Sequence, residues 1–235
     1  SDALVGMIND SGAKLLFVSP DYWEMIAPHR HQLTQCLSSS DPDHGCHSHP
    51  DGLFYLESPR ASEKTQETAS NKQRQCLADL IKPASCKPVD LPISLDWGFN
   101  LIYSSGTTGL PKGILQSRRY RAIERQIIAS VGMDHTSRAL VSTPLYSNTT
   151  LFLFLSVLGH GGSVYLMEKF NSDEFLTLSE EKRITHAVLV PVQYERLLKD
   201  PHFDEADLSS YQFKCSTSAP LRKPVKEALL QRWPH

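Results

Sequence analysis

The sequence has no large excess of charge of either sign and no long apolar run. Its 235 residues include 24 Lys and Arg against 26 Asp and Glu, a formal net charge of −2. This balance gives no electrostatic reason to expect nucleic acid or an anionic membrane surface as the main partner. The longest apolar run, residues 151–158, is far shorter than the ~20 residues that a membrane-spanning helix needs. We therefore predict no nucleic-acid partner and no transmembrane segment.

Cysteine is scarce, and its spacing indicates neither a disulfide framework nor a zinc ribbon. The chain has no Cys-x-x-Cys pair, and its five cysteines are Cys36, Cys46, Cys76, Cys86 and Cys215. A reducing, cytoplasmic environment is the simpler expectation. The first residues also lack a charged leader followed by an apolar core, so we expect no secretion signal.

Half of the ten histidines fall between residues 29 and 49, together with two of the cysteines. These histidines are His29, His31, His44, His47 and His49. The residue types are those of metal ligands, but their spacing fits no zinc template. We favour a solvated polar loop and predict no metal site; a metal cluster is the alternative.

The chain changes character near residue 97. Residues 38–95 are rich in polar residues and proline, which predicts a loop-rich or poorly ordered insertion with one possible helical turn around 76–81. From 97 to 235, strand-like and helix-like segments alternate. The predicted strands are 99–103, 139–142, 164–167, 187–190 and one near 213. The predicted helices start near 117, 151, 172 and 222, and a further helix after Pro191 holds Tyr194, Leu197 and Leu198. This alternation predicts an α/β fold with a mainly parallel, helix-covered sheet.

The helix predicted from about residue 117 has two kinds of side chain. Its apolar residues Ile123, Ile127, Ile128 and Val131 share one face. Four arginines at positions 118, 119, 121 and 125 lie mostly off that face. We predict that these arginines form the solvated face of the helix; an anion-binding patch above the loop described next is the alternative.

Residues 103–113, Tyr-Ser-Ser-Gly-Thr-Thr-Gly-Leu-Pro-Lys-Gly, form the most informative segment. Glycines let backbone N–H groups approach an anion, hydroxyls donate hydrogen bonds to phosphate oxygens, and Lys112 adds a positive charge. The alternative is a flexible turn with a solvated lysine. A Walker loop is excluded because Pro111 precedes Lys112 and Gly113 follows it, and no Gly-x-Gly-x-x-Gly is present.

This loop closely resembles the signature loop of the adenylate-forming (AMP-binding) enzymes, the superfamily of acyl-CoA synthetases, firefly luciferase and peptide-synthetase adenylation domains. The resemblance covers nearly the whole chain. Residues 8–14, Ile-Asn-Asp-Ser-Gly-Ala-Lys, are similar to an early family segment, and residues 142–146 with 158–162 are similar to a later one. A "T…VP…LL" stretch matches 185–198, and Ser-Thr-Ser-Ala-Pro-Leu at 216–221 stands where members usually carry Ser-Gly-Gly-Ala-Pro-Leu. The chain thus resembles a fragment of the large N-terminal domain.

The resemblance implies a two-step reaction that uses ATP, Mg²⁺ and coenzyme A. A carboxylic acid would be activated as acyl-adenylate with release of pyrophosphate, and the acyl group would then pass to a thiol. Lys112 and Thr108 would be catalytic, and Tyr146 and Ser147 would border the acid. The residues implied to bind the nucleotide are Ser104, Ser105, Gly106, Thr107, Thr108, Gly109, Lys112, Ser218, Ala219 and Pro220.

Three departures from the family pattern affect these expectations. Where members often have an aromatic residue and histidine, this chain has Tyr146 and Ser147, and a helix N-terminus capped by Ser147 or Asn148 is the alternative. Thr217 and Ser218 replace two usual glycines, which restricts backbone approach to the purine. The family's metal-binding glutamate, ribose-binding aspartate and C-terminal lid are absent from the 235 residues. We therefore expect this chain alone not to complete adenylation.

Two rival functions and several open points remain at this level. A kinase-like phosphotransferase lacks the kinase lysine strand and the His-Arg-Asp and Asp-Phe-Gly motifs. A non-catalytic nucleotide-binding or scaffolding fragment is the second rival. The acid is not readable, since apolar residues at 146–154 suit fatty, aryl or alicyclic acids alike. The acceptor thiol and the oligomeric state are also not readable.

Overall fold

The computed structural model describes residues 2–33, 53–55, 75–76, 81, 85–88, 90–104 and 111–235. It divides into two compact units. Unit 1 comprises Ser1–Ile93 and Tyr103–Ile114, and unit 2 comprises Ser94–Ile102 and Leu115–His235. Strands β4 (Gly98–Ser104) and β5 (Lys112–Ser117) pair with each other, and each has residues in both units. Within the described residues, no helix combines the length and the apolar composition needed to cross a bilayer.

Unit 1 is built on a small parallel sheet in the order β1-β2-β3. Buried side chains from its helices and first strand, among them Val18 and Trp23, form its core. The elements are α1 (Asp2–Asp10), β1 (Leu16–Val18), α2 (Pro20–Ile26), a 3₁₀ helix (Ala27–Gln32), β2 (Leu53–Tyr55) and β3 (Gln75–Cys76).

Unit 2 contains a four-stranded, fully parallel sheet in the order β7-β6-β8-β9. Its strands are β6 (Arg138–Val141), β7 (Ser163–Leu166), β8 (His186–Leu189) and β9 (Phe213–Ser216). Its helices are α3 (Arg118–Ala129), α4 (Asn148–Gly159), α5 (Ser172–Glu181), α6 (Pro191–Leu198) and α7 (Lys223–Arg232). A helix follows each strand, which is how parallel neighbours are connected. The predicted α/β fold with a parallel, helix-covered sheet is confirmed.

Successive residues of the central strands β6 and β8 pack against different helices. Leu140 belongs to a cluster with buried residues of α5, α6 and α7, whereas Ala139 and Val141 join buried residues of α3 and α4. In the same way Ala187 and Val188 fall in opposite clusters. This alternation follows from the two-residue period of a strand, and it means that helices cover both faces of the sheet.

Three short strands were not predicted from the sequence. Strands β2 and β3 lie inside residues 38–95, where only loop and a helical turn were expected, and Cys76 is in a strand. The rest of the predicted helical turn lies almost entirely outside the described residues. Strand β5 was also missed, because residues 112–117 were divided between the predicted loop and the helix that follows it.

The prediction for the faces of α3 is partly wrong. Ile128 is buried, but Ile123 and Ile127 are 47% and 62% exposed. Arg121, assigned to the solvated face, is only 9% exposed. The reason is that polar side chains of other elements meet the inward side of α3 and accept hydrogen bonds from the Arg121 guanidinium.

Candidate functional site

The candidate site in unit 2 lies at the carboxyl ends of its parallel strands. The connection that leaves β6 leads to β7 on one side of it, whereas the connection that leaves β8 leads to β9 on the other side. The strand order therefore switches direction between β6 and β8. Ligands of open α/β sheets bind outside the strand carboxyl ends at such a switch point. The segment after β6 carries Tyr146 and Ser147, and the segment after β9 carries Ser218, Ala219 and Pro220. Two sequence-predicted groups of site residues therefore follow strands at the same edge of the sheet.

The buried side chain of Gln193 connects the carboxyl ends of β6 and β8 through hydrogen bonds. The Gln193 side-chain N–H group donates to the Ser142 carbonyl at 3.3 Å and to its hydroxyl at 3.2 Å. The backbone N–H of Val190 donates to the Gln193 amide oxygen at 3.0 Å. Ser142 and Gln193 are each 6% exposed. Sequence reasoning did not identify Gln193, because a single polar residue in a short amphipathic helix carries no recognisable signal.

Tyr146 and Ser147 form the turn that leads into α4. Tyr146 is 78% exposed. The Ser147 N–H donates to the Pro144 carbonyl at 3.0 Å, and Ser147 occupies the N-cap position. The alternative assignment of Ser147 as a helix cap is right about its position, but its side chain makes no capping hydrogen bond.

Ser218 adopts a backbone conformation that favours glycine. Its φ is +71°, in the left-handed region. Its hydroxyl lies 3.1 Å from the Thr149 hydroxyl in the first turn of α4. The preceding residue, Thr217, donates its N–H to the Leu189 carbonyl at 3.1 Å. The backbone at residue 218 thus keeps a conformation typical of glycine although the residue has a side chain.

Neutral buried groups support β9 beneath this turn. The Tyr194 hydroxyl donates to the Cys215 carbonyl at 3.0 Å. Burial raises the pKa of the Tyr194 phenol above its usual value, and it also raises the pKa of the Cys215 thiol. Both groups therefore stay protonated near neutral pH and act as structural supports. The Ser216 hydroxyl is buried and has no hydrogen-bond partner among the described residues.

The predicted phosphate-binding loop joins β4 to β5. Ser104 is the last residue of β4 and Lys112 the first of β5, and both are exposed. Five predicted site residues lie outside the described part of the chain: Ser105, Gly106, Thr107, Thr108 and Gly109.

The first residue of the loop is fixed to α1. The Tyr103 hydroxyl donates a hydrogen bond to the carboxylate of Asp10, the last residue of α1. That hydrogen bond is the main reason why the pKa of Tyr103 is raised to about 12. The family-like segment at residues 8–14 is thereby joined to the family-like loop within unit 1.

Arginines 118, 119 and 121 of α3 each contact side chains of other residues among those that the structure describes. Arg119 pairs with the Asp96 carboxylate at 2.8 Å, and the Arg118 guanidinium lies 5.9 Å from the centre of the Phe99 ring. Arg121 is buried among polar side chains. These contacts give the arginines local structural roles and offer no separate support for an anion patch.

One group of possible metal ligands occurs among the described residues, and the sequence did not indicate it. The His202 ring nitrogen Nδ1 lies 3.1 Å from a carboxylate oxygen of Asp173 and 3.6 Å from one of Asp200. The His202 and Asp173 side chains are 60% and 67% exposed. A histidine–carboxylate contact at the surface accounts for this geometry without a metal ion. Of the clustered histidines, His29 and His31 lie in the 3₁₀ helix, and the others are outside the described residues.

Comparisons with known proteins match the whole chain to a family and parts of it to curated relatives. The sequence profile of a family described as "AMP-binding enzyme" matches residues 1–235. A feruloyl-CoA synthase from Amycolatopsis sp. is 28% identical over 181 residues, which are 75% of this chain and 36% of that protein. The 4-coumarate–CoA ligase 3 of Arabidopsis thaliana is 35% identical over 142 residues, 57% of this chain and 25% of that protein.

The fold of this chain is also similar to that of solved structures. The crystal structure of ATP-bound MatB from Rhodopseudomonas palustris superposes with a TM-score of 0.76 at 22% identity, covering 99% of this chain and 40% of that one. At this identity the likeness shows the fold alone. The matched part of this chain spans between a quarter and about a third of the length of the curated relatives.

Proposed function

Because the chain belongs to the AMP-binding enzyme family, we propose that it is the nucleotide-binding part of an ATP-dependent acid–thiol ligase of the acyl-CoA synthetase type. One observation carries the proposal. A loop rich in glycine and hydroxyl groups, with a single lysine, connects the end of β4 to the start of β5, and its flanking residues Ser104 and Lys112 are exposed.

In the first half-reaction, a carboxylate oxygen of the acid attacks the α-phosphorus of ATP. The bond from that phosphorus to the bridging oxygen breaks, and pyrophosphate leaves with the electron pair. Negative charge builds up on the leaving group, where Lys112, the hydroxyls of Ser104, Ser105, Thr107 and Thr108, and the N–H groups of Gly106 and Gly109 would stabilise it. Donors fixed in place before the reaction stabilise such charge without reorganising during it.

The segments at the sheet edge would hold the other parts of the substrates. Ser218, Ala219 and Pro220 are exposed and would lie along the adenine, with Tyr146 and Ser147 beside the acid. In the second half-reaction, the sulfur of coenzyme A attacks the acyl carbon of the adenylate. AMP leaves, and the thiol proton passes to solvent or to a base.

Magnesium would accompany the phosphates of ATP and neutralise part of their charge. The described residues at the ends of the loop, Ser104 and Lys112, offer a hydroxyl and a cation. This donor set does not hold magnesium by itself, because the ion prefers carboxylate, phosphate and water oxygens.

The names of the curated relatives suggest which acids to test first. Two of them, a feruloyl-CoA synthase and a 4-coumarate–CoA ligase, are named for aromatic acids. Aryl acids therefore come first in a panel that also contains fatty and alicyclic acids.

The spacing of the cysteines supports a cytoplasmic location as a further part of the proposal.

Acid-dependent exchange of pyrophosphate into ATP tests the proposal in the full-length gene product. We expect Lys112→Ala to lower exchange by about 100-fold or more, because it removes a fixed charge from the leaving group. Lys226→Ala is the matched control, since Lys226 is an exposed lysine on α7. Full-length protein that binds ATP but exchanges with no acid in the panel would contradict the proposal and favour a scaffolding role.

A further inference from the structure

Gln193, in the first turn of α6, has a buried amide that binds the residues just past two strand ends. Ser142 directly follows β6, and Val190 directly follows β8. The Gln193 amide donates to the carbonyl and the hydroxyl of Ser142 at 3.3 and 3.2 Å, and it accepts a hydrogen bond from the Val190 N–H at 3.0 Å. The Gln193 backbone N–H donates in turn to the Val190 carbonyl at 2.9 Å. One residue is thus hydrogen-bonded to both strand ends.

This amide bridge, from Gln193 to the ends of β6 and β8, lies beyond the last register pair of those strands. Their register pairs end at Leu140 and Ala187, two residues before β8 itself ends. At the same edge of the sheet, the Thr217 N–H donates to the Leu189 carbonyl at 3.1 Å and connects β8 to the segment after β9. The amide bridge and this backbone hydrogen bond together connect the carboxyl ends of β6, β8 and β9.

Stability alone does not explain a glutamine at this position. Burial removes the amide from water and restricts a flexible side chain, and both effects are costly. The other buried side chains of α6, Tyr194 and Leu197, are large and mainly apolar. An apolar side chain at residue 193 would fill the same space without these costs. What it cannot supply is a set of directional hydrogen bonds that fixes the two strand ends relative to each other.

The connected strand ends lead to two of the proposed substrate segments. Strand β6 leads through Ser142 to Tyr146 and Ser147, which are proposed to border the acid, and β9 leads to residues 218–220, which are proposed to lie along the adenine. All of these residues are described and belong to unit 2. Attack on the α-phosphorus requires the acid oxygen to lie within about 3–3.5 Å of it, and a misplacement of about 1 Å costs on the order of 100-fold in rate. The spacing of these two segments therefore affects the rate of adenylation.

We propose that Gln193 is a positioning residue for the adenylation step, and that it acts through the amide bridge to Ser142. This inference rests on the function proposed above. Gln193 is buried behind the strand ends and does not contact the substrates. It fixes the distance between the segment that borders the acid and the turn that borders the adenine. Loss of the bridge leaves each segment folded but loosens their mutual placement.

The test uses pyrophosphate exchange by the full-length gene product, with kcat and the KM values for ATP and for the acid measured separately. Gln193→Met removes the amide but keeps an unbranched side chain that fills the same space. We expect it to lower kcat about 10-fold while both KM values change little, because the bridge affects the relative placement of the substrates rather than the binding of either. Gln231→Met is the matched control, since Gln231 is an exposed glutamine on α7. Its kcat should equal that of the unaltered protein.

Gln193→Glu tests the Ser142 side of the bridge by itself. In its ionised form this variant keeps an oxygen that accepts from the Val190 N–H, but it has no proton to donate to the Ser142 carbonyl. Burial disfavours the charged form and so raises the pKa of the introduced carboxyl group. Below that pKa the protonated group can donate to Ser142 again. The kcat of Gln193→Glu relative to the unaltered protein should therefore rise as the pH falls from about 9 to about 6.

The outcomes distinguish this inference from the proposed function. If the unaltered protein shows no exchange with any acid, the proposed function fails and the inference falls with it. If the unaltered protein is active and Gln193→Met has the same kcat, only the inference is overturned. A relative kcat of Gln193→Glu that does not change with pH would also overturn it, because the donor to Ser142 would then not matter. A lowered melting temperature with unchanged kcat per folded molecule would have the same meaning, since that result describes a purely structural role.

Discussion

The hydroxyl groups of Thr149 and Ser218 lie 3.1 Å apart and connect the first turn of α4 to the turn after β9. Ser218 makes this contact while holding a φ of +71°. A left-handed backbone costs a non-glycine residue about 1 kcal/mol or more. The hydroxyl pair and the packing around β9 offset this cost, so the turn combines a strained backbone with a compensating hydrogen bond.

Substitutions at Ser218 should separate the strain from the hydrogen bond. Ser218→Ala loses the hydroxyl and keeps the strain, so it should lower the free energy of unfolding by about 1 kcal/mol. Ser218→Gly loses the same hydroxyl but relieves the strain, so it should be more stable than Ser218→Ala. Urea unfolding followed by circular dichroism measures both. If the alanine variant proves at least as stable as the glycine variant, the backbone at residue 218 is not strained.

His186 should make the protein less stable in acid. Its ring is fully buried in β8, and burial lowers its pKa from the ordinary value of 6.5. The unfolded chain, with the higher pKa, binds the proton more readily than the folded protein does. His186 therefore stabilises the fold fully above about pH 6.5, and this contribution is lost as the pH falls below that value.

The pH dependence can be assigned by comparison with His186→Gln, which cannot be protonated. Melting temperatures measured between pH 8 and pH 5 should fall more steeply for the unaltered chain than for this variant. The Thr185 hydroxyl lies 2.7 Å from the His186 ring nitrogen Nδ1, and an amide side chain can keep a hydrogen bond there. Parallel pH profiles for the two proteins would show that His186 does not titrate in this range.

Tyr103 should titrate late because of Asp10. The hydrogen bond from the phenol to the Asp10 carboxylate raises the pKa of Tyr103 to about 12. Asp10→Asn removes the negative charge and should return this pKa toward its ordinary value of 10.0. Tyrosine labelled with ¹³C at the ζ carbon reports each titration by NMR, and Tyr103→Phe identifies the resonance. An unchanged midpoint in Asp10→Asn would mean that this contact does not form in solution.

Two glycine-to-alanine changes should have opposite effects on stability. A Cβ at Gly162, just before β7, would lie 2.6 Å from the Ser137 carbonyl oxygen and 2.8 Å from a Val157 methyl carbon. Gly162→Ala should lower the free energy of unfolding by about 1–3 kcal/mol. Gly6→Ala is the control: nothing lies within 4 Å of its Cβ, and alanine in α1 should be neutral or stabilising by up to about 1 kcal/mol. Thermal melts of the two variants would decide, and a neutral Gly162→Ala would contradict the close packing described here.

The order of elements from β6 to α7 could be predicted because β6, β7 and β8 are short, mainly apolar runs and the helices between them have apolar residues at helical spacing. Strands β2 and β3 could not, since two or three residues carry no periodic pattern. Burial of Arg121 was also missed. Periodicity indicates which face of α3 is apolar, but it does not indicate which amide side chains of other elements pack against that helix.

For the candidate site, the residue types could be predicted from the sequence, but the contacts that support them could not. Its residue types could be proposed from sequence because the chemistry of phosphate binding requires glycine, hydroxyl groups and a cation close together in the chain. The supports around them, such as the Gln193 amide between β6 and β8, depend on contacts between residues distant in sequence. The roles of Thr108, Lys112, Tyr146 and Ser218 remain predictions, and pyrophosphate exchange by Lys112→Ala tests that of Lys112.

Neighbouring residues in β6, and likewise in β8, pack against helices on opposite faces of the sheet. This limits where residues can be inserted into or deleted from the chain. Ala139 and Leu140 pack with different helices, so one inserted residue within β6 would turn every following side chain of the strand toward the wrong partners. Length variation among related sequences should therefore be confined to the connections between strands and helices, and library designs that vary loop length can leave the strands themselves untouched.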